Sequence, residues 1–293
     1  MSNIAVVVPS HKQELTDLFL GKWQALFDKH SVEFILVNDA GNVPHIEYKG
    51  EVIKLENPLI SNKCAGVRQL GFLYIAQNLP DVEYILTFDT DTEPIGDPIQ
   101  DHIDALNMKV PISWLSTANV PMRGFPYGVR TEAQVKLSHG VWEGVPDYDA
   151  PTQLLMNPEF KPTYYKGVIP KGIFFPMCGM NLAWRREALP YVYFAPAGTF
   201  KGAERMDDIF GGVMLIKDFA RLNWGIVSGY ARILHTRASN VFQSLEHEAV
   251  GIRHNEGLWK DPENYSGDPW FDELRTKRAL WYNLLNEANN DQK

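Results

Sequence analysis

Apolar positions near the start of the chain fall in short, unbroken runs. Ile4-Ala5-Val6-Val7-Val8, Phe34-Ile35-Leu36-Val37 and Tyr84-Ile85-Leu86-Thr87-Phe88 show no polar alternation, which predicts strands buried on both faces. Val52-Ile53-Lys54-Leu55 predicts a further short strand. Between the first two runs, Leu15, Leu18, Phe19, Trp23, Leu26 and Phe27 recur at helical spacing over residues 13–29, and residues 64–78 read as a second helix. Strands alternating with helices over the first ~90 residues predict an α/β fold with a mostly parallel central sheet flanked by helices. Ligands of such sheets bind beyond the carboxyl ends of the strands, where Pro9, Asp39, Asp89 and Asp91 fall.

The pattern changes after residue 110. Residues 111–176 are rich in Pro, Gly and aromatics with weak helical periodicity, and helices return only near 207–220 and 273–289. No Pro/Ser linker or internal repeat divides the chain, so residues 1–293 read as one compact unit with an irregular second half. No stretch approaches the ~20 apolar residues of a membrane span, and the N-terminus is too short and uncharged for a signal segment. A net charge of −8 argues against a nucleic-acid partner, which would require a basic face. Two cysteines, Cys64 and Cys178, make no disulfide framework and fit a reducing, cytoplasmic location. A G-x-G-x-x-G fingerprint is absent.

Candidate chemistry centres on Asp89-Thr90-Asp91. Two carboxylates two residues apart, past a buried strand, can face one hard cation while Thr90 points away; a solvated Asp turn is the plainer alternative. His235, after Ile233-Leu234, is a candidate third metal ligand, and Arg237 shares its side of an extended segment. Asp39 could accept hydrogen bonds from a base or ribose, or merely close its strand. Lys63 and Arg68 could meet diphosphate oxygens, or simply be solvated at a helix start. Arg123-Gly124-Phe125-Pro126-Tyr127-Gly128-Val129-Arg130 sets two guanidinium groups on a loop that cannot be a continuous helix. Asp207 and Asp208 open a helix; capping accounts for one, leaving the other free for catalysis. Cys178, without a basic neighbour, reads as buried rather than nucleophilic.

Longer runs are more specific. Val145-Pro146-Asp147-Tyr148-Asp149-Ala150-Pro151-Thr152-Gln153-Leu154 and Pro170-Lys171-Gly172-Ile173-Phe174-Phe175-Pro176-Met177-Cys178-Gly179-Met180-Asn181 resemble the reversibly glycosylated polypeptides, which include plant UDP-arabinopyranose mutases. The Arg123 to Arg130 octapeptide, Ser138-His139-Gly140-Val141-Trp142, Arg205-Met206-Asp207-Asp208 and His235-Thr236-Arg237-Ala238-Ser239-Asn240 follow in the family's order. The resemblance implies a GT-A-like fold and a manganese- or magnesium-dependent, flavin-free mutase acting on a UDP-sugar. A transferase passing the sugar to a separate acceptor is the alternative. It also implies metal ligation by Asp89 and Asp91, with Thr90 standing where plant members commonly carry a third Asp. Arg123 takes the place of the glycosylated arginine and Arg130 that of a second arginine needed for activity. On this reading residues 1–110 are the nucleotide-binding half, 111–260 the sugar or acceptor side, and 261–293 a C-terminal helical segment. A homo-oligomer is compatible with the resemblance.

Overall fold

The computed structural model describes residues 3–115, 120–145, 147–156, 162–237 and 239–290. Pro146 and Ala238, which belong to the family-like runs, lie outside the described residues, as do Met1 and Ser2. In chain order the elements are β1 (Ile4–Ser10), α1 (Gln13–His30), β2 (Glu33–Asn38), β3 (His45–Tyr48), β4 (Glu51–Ile53), α2 (Gln69–Asn78), β5 (Tyr84–Phe88), β6 (Thr92–Pro94), α3 (Pro98–Leu106), β7 (Lys109–Val110), β8 (Ala133–Gly144), α4 (Ala150–Leu155), β9 (Gly167–Val168), β10 (Asn181–Arg185), α5 (Asp207–Leu222), β11 (Gly225–His235), α6 (Val241–Leu258) and α7 (Trp270–Asn290).

The buried runs of the first half form the strands they predict, and their alternating side chains build two cores. Ala5 and Val7 of β1 join Ile35, Val37, Ile85 and Trp184 on one face, beneath Phe72 of α2, Phe210 of α5 and Trp281 of α7. Ile4, Val6 and Val8 join Leu86 and Phe88 on the other, beneath Phe19, Trp23 and Phe27 of α1 and Ile99 and Leu106 of α3. The strand order is β4-β3-β2-β1-β5-β10-β8-β11-β6, with β7 on β8 and β9 on β11.

This is a mixed sheet. β1 pairs in parallel with β2 and β5, and β8 with β11, whereas β10 is antiparallel to both β5 and β8. The parallel part foreseen from the first ~90 residues is present, but hairpins and short returns supply the other pairings. Two antiparallel steps restore direction, so β1, β2, β5, β8 and β11 all point their carboxyl ends to one edge. Strands from both halves of the chain therefore share one sheet.

Several elements were hidden in the sequence. A 3-10 turn, Ala65–Arg68, precedes α2 where one continuous helix was expected. The 12-residue β8 and the 18-residue α6 gave no clear periodicity. The reason in β8 is a buried polar network. His102 of α3 bonds Ser138 Oγ through Nδ1 and Asn181 Oδ1 through Nε2, each at 2.8 Å. Because Asn181 Oδ1 only accepts, Nε2 carries the proton and Nδ1 accepts from the Ser138 hydroxyl. Asn181 Nδ2 donates in turn to Val141 O at 3.2 Å. Gly140 is required beside it, since a Cβ there would lie 1.9 Å from Asn181 Nδ2. In α6 the buried side chains include Ser244 and Glu248, so polarity and burial do not separate.

Burial lowers the His102 imidazole to about 4. Its folded value lies below the unfolded one, so the stability it contributes is complete above about pH 6.5 and is lost as pH falls toward 4. In His102→Gln, the fall of unfolding free energy between pH 6.5 and 5 should be shallower by about 1.4 kcal/mol per pH unit, read from urea titrations. An unchanged slope would contradict the neutral, buried assignment.

Candidate active site at the carboxyl edge of the sheet

β2, β5 and β11 end at Asn38, Phe88 and His235, and each end is followed by, or is, a residue of the site, while β1 ends beside them at Ser10. Asp39 follows β2, its N–H donating to Ser10 O of β1 at 2.7 Å. Pro9 sits in register with Val37 and shapes this strand end through its backbone. Asp39 Oδ2 accepts from Lys63 N at 2.5 Å. Lys63 meets it from a left-handed conformation (φ 55), which a non-glycine residue adopts only when its surroundings hold it there. Asp39 Oδ1 is buried with no partner among the described residues, and burial raises the carboxyl's pKa against the opposing Lys63 hydrogen bond. A buried acceptor left unpaired by the protein can take its donor from a bound ligand or a water.

Asp89 follows β5 and pairs with Arg68. Arg68 is 4% exposed, far from the solvated residue its position suggested, and its Nε donates to Thr87 Oγ1 at 3.0 Å on the α2 face of the sheet. Burial raises the Asp89 pKa; Arg68 opposes this, while the charges of Asp91 and Asp147 add to it. Arg68 is therefore committed to Asp89 and not free to act alone on a diphosphate.

Asp91 lies on the far side of Thr90, and its carbonyl is tied to Thr236 N and Oγ1, each at 3.0 Å. That tie brings the end of β11 to it. His235 Nε2 stands 3.7 Å from Asp91 Oδ2, and His235 Nδ1 is 2.9 Å from Val145 O. Burial pulls the imidazole pKa down, but Asp91 and the Val145 carbonyl outweigh it and raise the value. Asp91 is lowered despite burial, chiefly by His235, with a contribution from the exposed Arg237.

Asp207 and Asp208 open α5, but neither caps it; the cap position is Met206. Asp207 accepts from Ala65 N of the 3-10 turn. Asp208 accepts from Gly179 N and Ile209 N, both at 2.9 Å. Burial raises both carboxyls, Asp207 further raises Asp208, and Arg68 opposes the rise in each. Both acids thus act as clasps between segments.

The two loop arginines stand apart. Arg130 Nη2 donates to Phe125 O at 2.8 Å and its guanidinium lies 3.9 Å from the centre of the Tyr127 ring. Arg123 is exposed. Neither touches the acidic cluster in any contact among the described residues. Cys178 is buried and burial drives its thiol well above the usual range, as its lack of a basic neighbour implied. The residue missed by sequence reasoning is Asp147, whose charge bears on Asp89, Asp208 and His235.

Among the described residues no three His, Cys, Asp or Glu side chains already form a metal cluster. The donor chemistry of Asp89, Asp91 and His235 nonetheless fits a divalent ion. A carbonyl on Nδ1 directs the other imidazole nitrogen toward Asp91, as second-shell carbonyls do for metal-bound histidines.

Residues 1–260 match the model of the reversibly glycosylated polypeptides. The chain belongs to that family. Among relatives, it is 33% identical over 264 residues to UDP-arabinopyranose mutase 3 of Arabidopsis thaliana, covering 80% of this chain and 71% of that protein. It is 35% identical over 272 residues to UDP-arabinopyranose mutase 1 of the same plant, covering 78% and 75%. A solved catalytic domain of Drosophila β1,4-galactosyltransferase 7 in complex with xylobiose superposes with a TM-score of 0.41 at 11% identity, covering 81% of this chain and 72% of that one. That likeness is too loose to carry a conclusion. In this family member, no helix among the described residues is long and apolar enough to cross a membrane.

The Arg68–Asp89 pair generates a test. Arg68→Met strands the Asp89 carboxylate beside the other acids and should destabilise the protein by about 3 kcal/mol in urea unfolding. Adding Asp89→Asn should restore most of that loss, because no charge is then left alone. Additive losses in the double variant would contradict the pairing.

Proposed function

We propose that the chain interconverts the pyranose and furanose forms of a UDP-sugar, UDP-arabinopyranose and UDP-arabinofuranose, without flavin and with Mn2+ or Mg2+, on a GT-A-like nucleotide-sugar fold. The observation that carries this reading is the meeting of Asp89, Asp91 and His235 with the unpartnered Asp39 oxygen at one sheet edge, in a chain whose relatives are named UDP-arabinopyranose mutases. Two unpaired cysteines are in keeping with a reducing, cytosolic setting.

In this scheme Asp39 Oδ1 accepts from the uracil or ribose, the donor it lacks. The exposed Lys63 and Arg237 side chains meet diphosphate oxygens. Asp89, Asp91 and His235 would hold a divalent ion, which would supply positive charge to stabilise UDP as a leaving group. Asp207 and Asp208 fix the 3-10 turn and the Gly179 segment around the sugar, and a carboxylate there can orient ring hydroxyls. Arg123 and Arg130 act by closing their loop toward the anionic substrate. A guanidinium, with a pKa above 12, is a poor nucleophile, so electrostatic stabilisation is favoured over covalent glycosylation of Arg123 as the catalytic role. The departing UDP must return to the same carbon, so water has to be kept out while it is free.

The deciding assay incubates the pure protein with UDP-arabinopyranose and Mn2+, with and without chelator, and resolves the two ring forms chromatographically. A pyranose/furanose mixture that disappears with chelator is expected, and Asp91→Asn should slow its formation by about 100-fold or more. Net UDP release only when an acceptor is added would replace this reading with a glycosyltransferase sharing the same donor site.

A further inference from the structure

Asp147 lies past the end of β8 and two residues before Asp149, the cap of α4. Its position is set by a double tie between β8 and β11. Val145 N donates to His235 O at 3.0 Å, and His235 Nδ1 faces Val145 O at 2.9 Å. Beyond this clamp Asp147 touches Cys178 beside the Gly179 that Asp208 holds, and its charge bears on Asp89, Asp208 and His235.

What distinguishes Asp147 is how weakly it is held. Asp89 is occupied by Arg68, Asp91 faces His235, and Asp207 and Asp208 accept backbone N–H groups. Asp147 Oδ2 accepts from the Cys178 thiol at 3.0 Å, a weak donor. Arg205 Nη2 is 4.0 Å from Oδ1, and its Nε lies closer to Glu248, at 3.3 Å. The Asp147 side chain keeps 26% of its surface open. A carboxylate with a weak neutral donor, a distant cation and a quarter of its surface open retains lone pairs for a substrate hydroxyl.

We propose that Asp147 is the proton carrier of the ring interconversion. The proposal rests on the mutase reading above and names the group that reading leaves unassigned. Converting pyranose to furanose exchanges one ring oxygen for another. The C1–O bond to UDP breaks with its electron pair going to the phosphate oxygen, leaving positive charge shared by C1 and O5. O4 then bonds to C1 and passes its proton to the Asp147 carboxylate. The resulting acid returns that proton to O5 as the C1–O5 bond breaks, and the phosphate oxygen rebonds to C1. O4 and O5 sit on adjacent carbons, so one carboxylate can serve both. Nothing is oxidised or reduced, and no co-reactant is consumed.

The test separates bond cleavage from ring exchange. UDP-arabinopyranose is prepared with heavy oxygen in the bridge between C1 and the β-phosphorus. Scrambling of the label reports reversible departure of UDP, and chromatography reports the furanose. Asp147→Asn should form furanose about 100-fold or more slowly while scrambling persists, no more than about tenfold slower than in the parent protein. UDP binding in the presence of Mn2+, measured by calorimetry, should stay within about threefold. If the Asn variant does not fold, Asp147→Ser carries the same readouts. Furanose formation kept within about fivefold would overturn the proposal. Loss of scrambling together with furanose formation would also overturn it, assigning Asp147 to bond cleavage or binding instead. A parent protein that forms no furanose overturns the mutase reading itself, a result distinct from either variant outcome.

Discussion

The carboxyl edge of this sheet depends on one buried guanidinium. Asp89, Asp207 and Asp208 converge there with their pKa values raised by burial, and Arg68 opposes that rise in all three. Its position is not incidental. The 3-10 turn that ends in Arg68 also presents the Ala65 N–H to Asp207, and the Arg68 Nε is anchored on Thr87 of β5. One short turn thus joins β5 to the start of α5. Like charges this close persist only where a counter-charge or a set of oriented N–H groups offsets their repulsion.

The same economy leaves some acceptors underfilled. Asp39 has one oxygen on the Lys63 N–H and the other without a partner, Asp91 faces an imidazole at 3.7 Å, and Asp147 holds a thiol. The pattern is uneven in a way a purely structural cluster would not need. Clasped acids line the α5 side, while open ones line the strand ends where a ligand of an α/β sheet binds.

Much of this was legible along the chain. The buried runs at Ile4, Phe34 and Tyr84 marked three adjacent strands, and the acids at their ends fell at a common edge because parallel strands align their carboxyl ends. The family-like runs marked Asp207 and Asp208, and His235 was rightly placed on a strand end. Their contacts were not legible. Asp207 and Asp208 looked like helix caps and prove to hold Ala65 and Gly179, residues 142 and 29 positions away. Arg68 looked like a solvated residue because its burial comes from a strand and a turn distant in sequence. β8 and α6 escaped because burial there falls on polar side chains, which periodicity of apolar residues cannot register.

By itself, then, the sequence determined the family, the α/β layering of the first half, and the acids that sit at strand ends. These follow from local hydrophobic period and from residue runs too long to recur by chance. Only the tertiary structure decided that β10 runs antiparallel between β5 and β8, bringing Gly179 beside Asp208, and that Val145 ties to His235 while Asp147 meets Cys178. Both depend on pairings between distant segments. The free energy of those pairings lies in burial and hydrogen bonds across the whole sheet, not in any local stretch of chain.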